Sequence, residues 1–173
     1  TGGFYDYLEQ SVTHLVRSEE KYVLALGIPG RSDYYYYGWD SVGGLLHSDD
    51  GEYWTPVVLP LAIQFNDLSY QNGLFVACGR FSEDPYRYYQ SAEYGDGVVL
   101  FSEDGENWTV QLISTAGALN SVAWNGTRWI AAGDEGVLLS WRDFFWEEIP
   151  SPTTENIQEV IFANGQIVIG TQA

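Results

Sequence analysis

Lysine is almost missing from this chain. Lys21 is the only one, and with six arginines it faces 24 aspartate and glutamate residues, for a formal net charge of −17. A surface this acidic repels the phosphates of nucleic acids and the headgroups of anionic membranes, so DNA, RNA and lipid are not expected partners. The acidity fits an extracellular, marine or halophilic setting. Cysteine occurs once, at Cys78 inside an apolar run, which rules out an internal disulfide and reads as a small core residue. The two histidines, His14 and His47, lie far apart, so neither a zinc pattern nor a Ser-His-Asp triad is supported. No apolar run reaches transmembrane length, so membrane insertion is not expected. Methionine is absent and the first residue is Thr1, which fits a processed or excised piece of a longer product.

What remains is apolar and rich in rings. Hydrophobic residues make up 45% of the 173 positions and aromatic residues 16%, against 18% charged. That is the composition of a folded domain and not of a disordered one, and Tyr and Trp favour strands.

The chain repeats itself. Leu45–Thr55 and Leu100–Thr109 share the pattern S-x-D-G-x-x-W, and Leu138–Trp146 keeps the Ser and the Trp, with Arg142 and Asp143 where Asp and Gly are expected. A second element precedes each of these: Phe65–Gly79, Leu119–Gly133 and Asn156–Gly170, with a more divergent copy from His14 to Gly27. In the three clear copies two alternating apolar runs flank an Asn-Gly pair, and the divergent copy has Glu19-Glu20 at its turn. Asn-Gly supplies the positive φ that a two-residue type I′ hairpin requires, so each copy is expected to be a tight hairpin, strands A and B. The S-x-D-G-x-x-W element is a second hairpin, strands C and D. Four antiparallel strands per repeat make one blade of a β-propeller, and the fold class expected is all-β, with blades near 12–60, 62–113, 119–150 and 155–173. Nearly all the variation in repeat length falls between strands B and C, where insertions belong.

S-x-D-G-x-x-W resembles the Asp box of the BNR, sialidase-like propellers, one residue shorter than their S-x-D-x-G-x-T-W. The resemblance implies that Ser and Asp tie down the C–D turn and that Trp packs between blades. Those roles fall on Ser48, Asp50, Gly51 and Trp54, on Ser102, Asp104, Gly105 and Trp108, and, in the decayed copy, on Ser140 and Trp146. Two readings of the ring stay open. Phe4 to Leu8 sits where an outer strand is due, so residues 1–10 could complete the C-terminal half blade in a four-bladed ring. Alternatively, the chain is a fragment of a larger propeller.

Strand alternation puts both long B–C loops on the face opposite the boxes. They carry Arg31, Tyr34, Tyr35, Tyr36, Tyr37 and Trp39 in the first, and Arg80, Tyr86, Arg87, Tyr88, Tyr89 and Tyr94 in the second. Tyr-rich loops suit recognition of a glycan or a protein surface; the same rings could instead pack over loop stems or neighbouring subunits in an oligomer. Sialidase chemistry, as the resemblance would have it, needs three arginines spread around the ring, a Tyr/Glu nucleophile pair and an Asp acid. Arg31, Arg80 and Arg87 cluster in two blades, so no catalytic site is expected, and a glycoside hydrolase fragment is the runner-up. No cofactor is expected. Asp33, Asp40, Asp84 and Asp96 could offer calcium carboxylates, but no D-x-D-x-D-G spacing appears. The leading expectation is a non-enzymatic binding or structural module at a cell surface, in a fibre or on a virion.

Overall fold

The computed structural model describes residues 12–26, 44–59, 62–82, 97–114, 117–142 and 144–172. Apart from one 3-10 turn at Asp134–Gly136, the regular structure among them is strand. Three antiparallel sheets have four strands in sequence order. Blade I holds β1 (Val12–Arg17), β2 (Tyr22–Leu26), β3 (Leu45–Ser48) and β4 (Thr55–Pro56). Blade II holds β5 (Ala62–Gln71), β6 (Leu74–Ser82), β7 (Gly97–Ser102) and β8 (Thr109–Ile113), and blade III holds β9 (Leu119–Trp124), β10 (Trp129–Gly133), β11 (Leu138–Arg142) and β12 (Phe145–Glu148). Blade IV is a two-stranded sheet of β13 (Ile157–Ala163) and β14 (Gln166–Thr171). The first strand of each blade packs beside the first strand of the next, β1 to β5 to β9 to β13. This is the β-propeller arrangement. β13 does not pack along β1 among the described residues. Residues 1–10, which would complete blade IV in a four-bladed ring, lie outside the described ones.

The core is three seams between blades. Val23, Ala25 and Leu45 of blade I meet Phe65, Leu68, Phe75 and Leu100 of blade II. Val76, Cys78 and Val99 of blade II meet Leu119, Val122 and Trp129 of blade III. Ile130 and Ala132 of blade III meet Ile157 and Val160 of blade IV. In the second and third strands of a blade alternation explains the division: successive residues serve one seam and then the other. Each Val, Leu, Ile or Phe side chain among them, fully buried, contributes roughly 1.5–3 kcal/mol before chain entropy is counted.

Every first strand carries a β-bulge. The extra residue is Thr13, Asn66, Asn120 or Gln158. Two of these side chains stitch blades together: the Asn66 amide donates to the Leu119 carbonyl (2.9 Å), and the Asn120 amide donates to the Ile157 carbonyl (3.0 Å). Opposite two of the bulges stand Gly79 and Gly133, where a Cβ would lie 1.9 Å from the Gln64 carbonyl oxygen and 2.2 Å from that of Ala118. These glycines make room for the bulged backbone.

The hairpin turns differ in part from the sequence expectation. Asn72-Gly73 and Asn164-Gly165 have positive φ at both residues, as a type I′ turn needs. In blade III the Asn-Gly pair is displaced by one position, and only Gly126 has positive φ. There the Asn125 side chain accepts the backbone N–H groups of Thr127 (3.0 Å) and Arg128 (2.9 Å). Ser18 does the same for Glu20 and Lys21 in blade I. A side-chain oxygen at the head of the turn thus replaces left-handed backbone.

Candidate functional site

The C–D turns of blades I and II are built alike. Ser48 Oγ accepts from Gly51 N (2.9 Å) and donates to Asp50 Oδ1 (3.1 Å), which accepts from Glu52 N (2.8 Å) and Tyr53 N (2.9 Å). Ser102 Oγ accepts from Gly105 N (2.8 Å) and donates to Asp104 Oδ1 (2.9 Å), which accepts from Glu106 N (2.9 Å) and Asn107 N (2.8 Å). The indole N–H of Trp54 and of Trp108 donates to the carbonyl of Gly51 and of Gly105 at 3.1 and 3.0 Å. Gly51 and Gly105 have φ near +78° and +76°. These donated bonds hold both carboxyls below their usual range; for Asp104 the largest contribution is the side-chain amide of Asn107. Trp108 packs in the seam between blades I and II, and Trp146 in that between II and III. All three tryptophans are half-buried.

Lys21 links the two boxes. Its ammonium donates to Asp49 of blade I and to Glu106 of blade II, and these bonds, Asp49 first, raise its pKa. The only lysine in the chain is therefore an inter-blade clamp that stays charged throughout the neutral range.

Blade III ends differently. Ser140 is buried and accepts a long hydrogen bond (3.4 Å) from the Arg128 guanidinium. The Trp146 indole N–H is buried and has no partner among the described residues. Arg142 pairs with Phe145 across a two-residue turn whose second residue, Phe144, has φ +73°. That left-handed conformation is uncommon outside glycine and costs on the order of 1–3 kcal/mol. Phe144 is also 81% exposed.

This turn forms one rim of a groove of about 750 Å³ between blades II and III. Its lining is rich in rings: Phe101 lies 5.0 Å from Trp141 between ring centroids, and Trp124 meets Trp129 edge-on at 5.7 Å. The walls are polar, with Asn72 and Asn107 from blade II turns and Thr127 and Arg128 from a blade III turn. Asp104 also lines it, but its Oδ1 is committed to two backbone N–H groups and its Oδ2 to the Asn107 amide. The groove was not legible as a site, because four separate turns supply it. The one signal present in sequence was the Trp-rich blade III.

Most of the predicted site residues lie outside the described ones. Of the Tyr-rich loop residues only Arg80 is described. It lies in β6 opposite Gln64 of β5, and its guanidinium donates to Gln64 Oε1 (3.0 Å). Arg31, Tyr34, Tyr35, Tyr36, Tyr37, Trp39, Tyr86, Arg87, Tyr88, Tyr89 and Tyr94 lie outside the described residues, as do Asp33, Asp40, Asp84 and Asp96.

A second polar cluster joins three innermost strands. Asp67 Oδ2 accepts from Ser121 Oγ and Val122 N, both at 2.8 Å, and its Oδ1 lies 3.4 Å from His14 Nε2. Ser, Asp and His are all present, but the carboxylate sits in the middle. Ser121 gives its proton to Asp67, so the histidine is not placed to activate it, and the cluster works as an inter-blade tie.

Fold and turns together define a β-propeller built on repeated blades. No protein-family model and no characterised protein matches the chain by sequence. Solved structures do match by shape. YCF48 from Cyanidioschyzon merolae is similar over 94% of this chain and 51% of its own, with a TM-score of 0.55 and 15% identity. A structure of YCF48 bound to D1 peptide gives 0.40 and 14%, over 94% of this chain and 60% of that one. A protein described as a candidate glycoside hydrolase, from Parabacteroides distasonis, gives 0.49 and 11%, over 92% and 61%. At such identities the likeness is one of fold alone. The chain spans about half the length of the first.

Proposed function

We propose that this chain is a non-enzymatic recognition module whose groove between blades II and III holds a neutral glycan. The observation that carries the reading is Phe144, an aromatic ring held exposed in a strained backbone conformation at the rim of a groove whose lining is rich in rings. Strain of this kind persists where the surrounding structure enforces it, and such sites cluster where ligands bind. Flat indole and phenyl faces suit the faces of sugar rings, and the Asn72 amide, together with the carbonyl oxygen of the Asn107 side chain and the accepting lone pair of the Thr127 hydroxyl, suits sugar hydroxyls. The charge of −17 disfavours sialylated or sulfated ligands. Against hydrolysis stands the state of Asp104, held ionised by its hydrogen bonds and so unsuited to give up a proton. Display at a cell surface, in a fibre or on a virion accords with this reading, and the Tyr-rich segments are then a further contact surface.

The test is titration of the intrinsic tryptophan fluorescence with neutral cello-, malto- and chito-oligosaccharides. Phe144→Gly should lower affinity at least tenfold while leaving the melting temperature equal or higher, since glycine relieves the positive φ. Unchanged affinity in Phe144→Gly, or no response to any neutral oligosaccharide at millimolar concentration, would remove the groove from the reading.

A further inference from the structure

The seams of the propeller repeat, and so do the positions that fill them. The face that each blade turns to its predecessor carries one apolar residue just before the bulge and another two residues after it. In blades II, III and IV the first position is Phe65, Leu119 and Ile157, and each is at most 1% exposed. The second is Leu68, Val122 and Val160, at most 4% exposed. In blade I the same two positions are Val12 and Leu15, and they are 51% and 57% exposed. The face turned to the following blade repeats in the same way. Val23, Val76 and Ile130 are buried in blades I, II and III, while their counterpart Val168 in blade IV is 46% exposed, as is its cross-strand neighbour Ile161. The molecule thus carries each half of its own seam uncovered, one at either end.

A hydrogen bond is left open in the same place. Asn66 and Asn120, the bulge residues of blades II and III, donate to the carbonyls of Leu119 and Ile157 in the blade that follows. The bulge residue of blade IV is Gln158, whose side chain is exposed and has no partner among the described residues. The carbonyl that corresponds to Leu119 and Ile157 is that of Val12, on the uncovered face of blade I.

We infer that these two faces bind each other between two copies of this chain, blade IV of one against blade I of the other. The contact continues the seam already used three times within the chain. Its apolar rows, Ile161 and Val168 on one side and Val12 and Leu15 on the other, have the chemistry of the buried seams, and Gln158 supplies the donor that each preceding blade supplies with asparagine. Head-to-tail contacts of this kind close when both ends of both copies are used. Each copy carries −17, so repulsion opposes the contact, and added salt should strengthen it. The inference is independent of the groove between blades II and III.

Sedimentation of the 173-residue chain tests it. The expected species at micromolar concentrations is a dimer of the 19.4 kDa chain, tighter at higher ionic strength. Val168→Glu and Leu15→Glu, at opposite ends and on exposed positions, should each give monomers. Mixed together they should recover a dimer, because one intact face of each kind remains. Melting curves of the variants at high dilution check that they fold, and Gln158→Ala, which leaves the apolar rows intact, should weaken the dimer roughly fivefold. Dimers that survive both glutamate variants, or a mixture that stays monomeric, would overturn the inference. So would a wild-type chain that is monomeric at every soluble concentration, an outcome that leaves the open faces to further blades of a longer polypeptide.

Discussion

A carboxylate that accepts two backbone N–H groups is stabilised in its charged form, and Asp104 accepts those and a side-chain amide as well. Its folded pKa is depressed below the ~3.9 of a free aspartate. The contribution to stability is therefore present above about pH 4 and is lost as pH falls through the folded value. Asp104→Asn keeps an oxygen acceptor and removes the charge. It should lower the melting temperature at pH 7 by about 1–3 °C, less than for a buried group because water screens an exposed carboxylate. The gap between variant and parent should close as the pH drops below 4; a gap of constant size from pH 7 to pH 2 would mean that charge is not what the turn uses. The bonds of this turn are local, each spanning two or three residues, so S-x-D-G-x-x-W marks the turn within one short stretch of sequence. Phe144 shows the opposite case. Its φ and exposure follow from a two-residue turn between Arg142 and Phe145, and nothing in the residue type announces them.

Among the elements, hairpins were legible and bulges were not. Alternation and Asn-Gly pairs locate β5–β6 and β13–β14, because both signals act within a dozen residues. The Asn-Gly of blade III misled by one position, since Asn125 can cap a turn with its side chain as readily as enter it. The bulges had a trace in sequence: the bulged residue stands thirteen positions before a glycine in blades II and III, Asn66 before Gly79 and Asn120 before Gly133. Two glycines of blade II now separate two physical requirements. Gly79 is pressed against the Gln64 carbonyl, a backbone atom that cannot swing away, whereas Gly73 has nothing within 4 Å of its would-be Cβ but sits at φ +76°. Gly79→Ala should cost ~3 kcal/mol or more by overpacking, and Gly73→Ala ~1–2 kcal/mol by backbone strain alone. Denaturant melts measure both; equal costs, or the reverse order, would show that the bulge backbone yields more easily than its position in the sheet suggests.

For the molecule as a whole, the repeat made the β-propeller legible, and contacts between repeats account for what was not. Which blade faces are covered depends on neighbours that the pattern does not count, and the groove belongs to a seam rather than to a repeat. A stack in which each unit touches only its neighbours has a stability close to a sum over units and seams. Blades II and III each have two seams. Blade I has one among the described residues, and blade IV has one and only two described strands, with Phe162 and Ile167 partly exposed even on the covered side. Local opening should therefore be graded along the chain. In the monomeric Val168→Glu variant, amide hydrogen exchange should be slowest in β6 and β10, whose side chains fill two seams each, and fastest in β13, β14 and β1. In the parent chain, dimer formation should slow exchange at β13, β14 and β1 and leave β6 and β10 nearly unchanged, because only the end faces gain cover. Uniform protection across the four blades of the variant would mean that the propeller opens as one cooperative unit, and that its seams do not act as separable contributions.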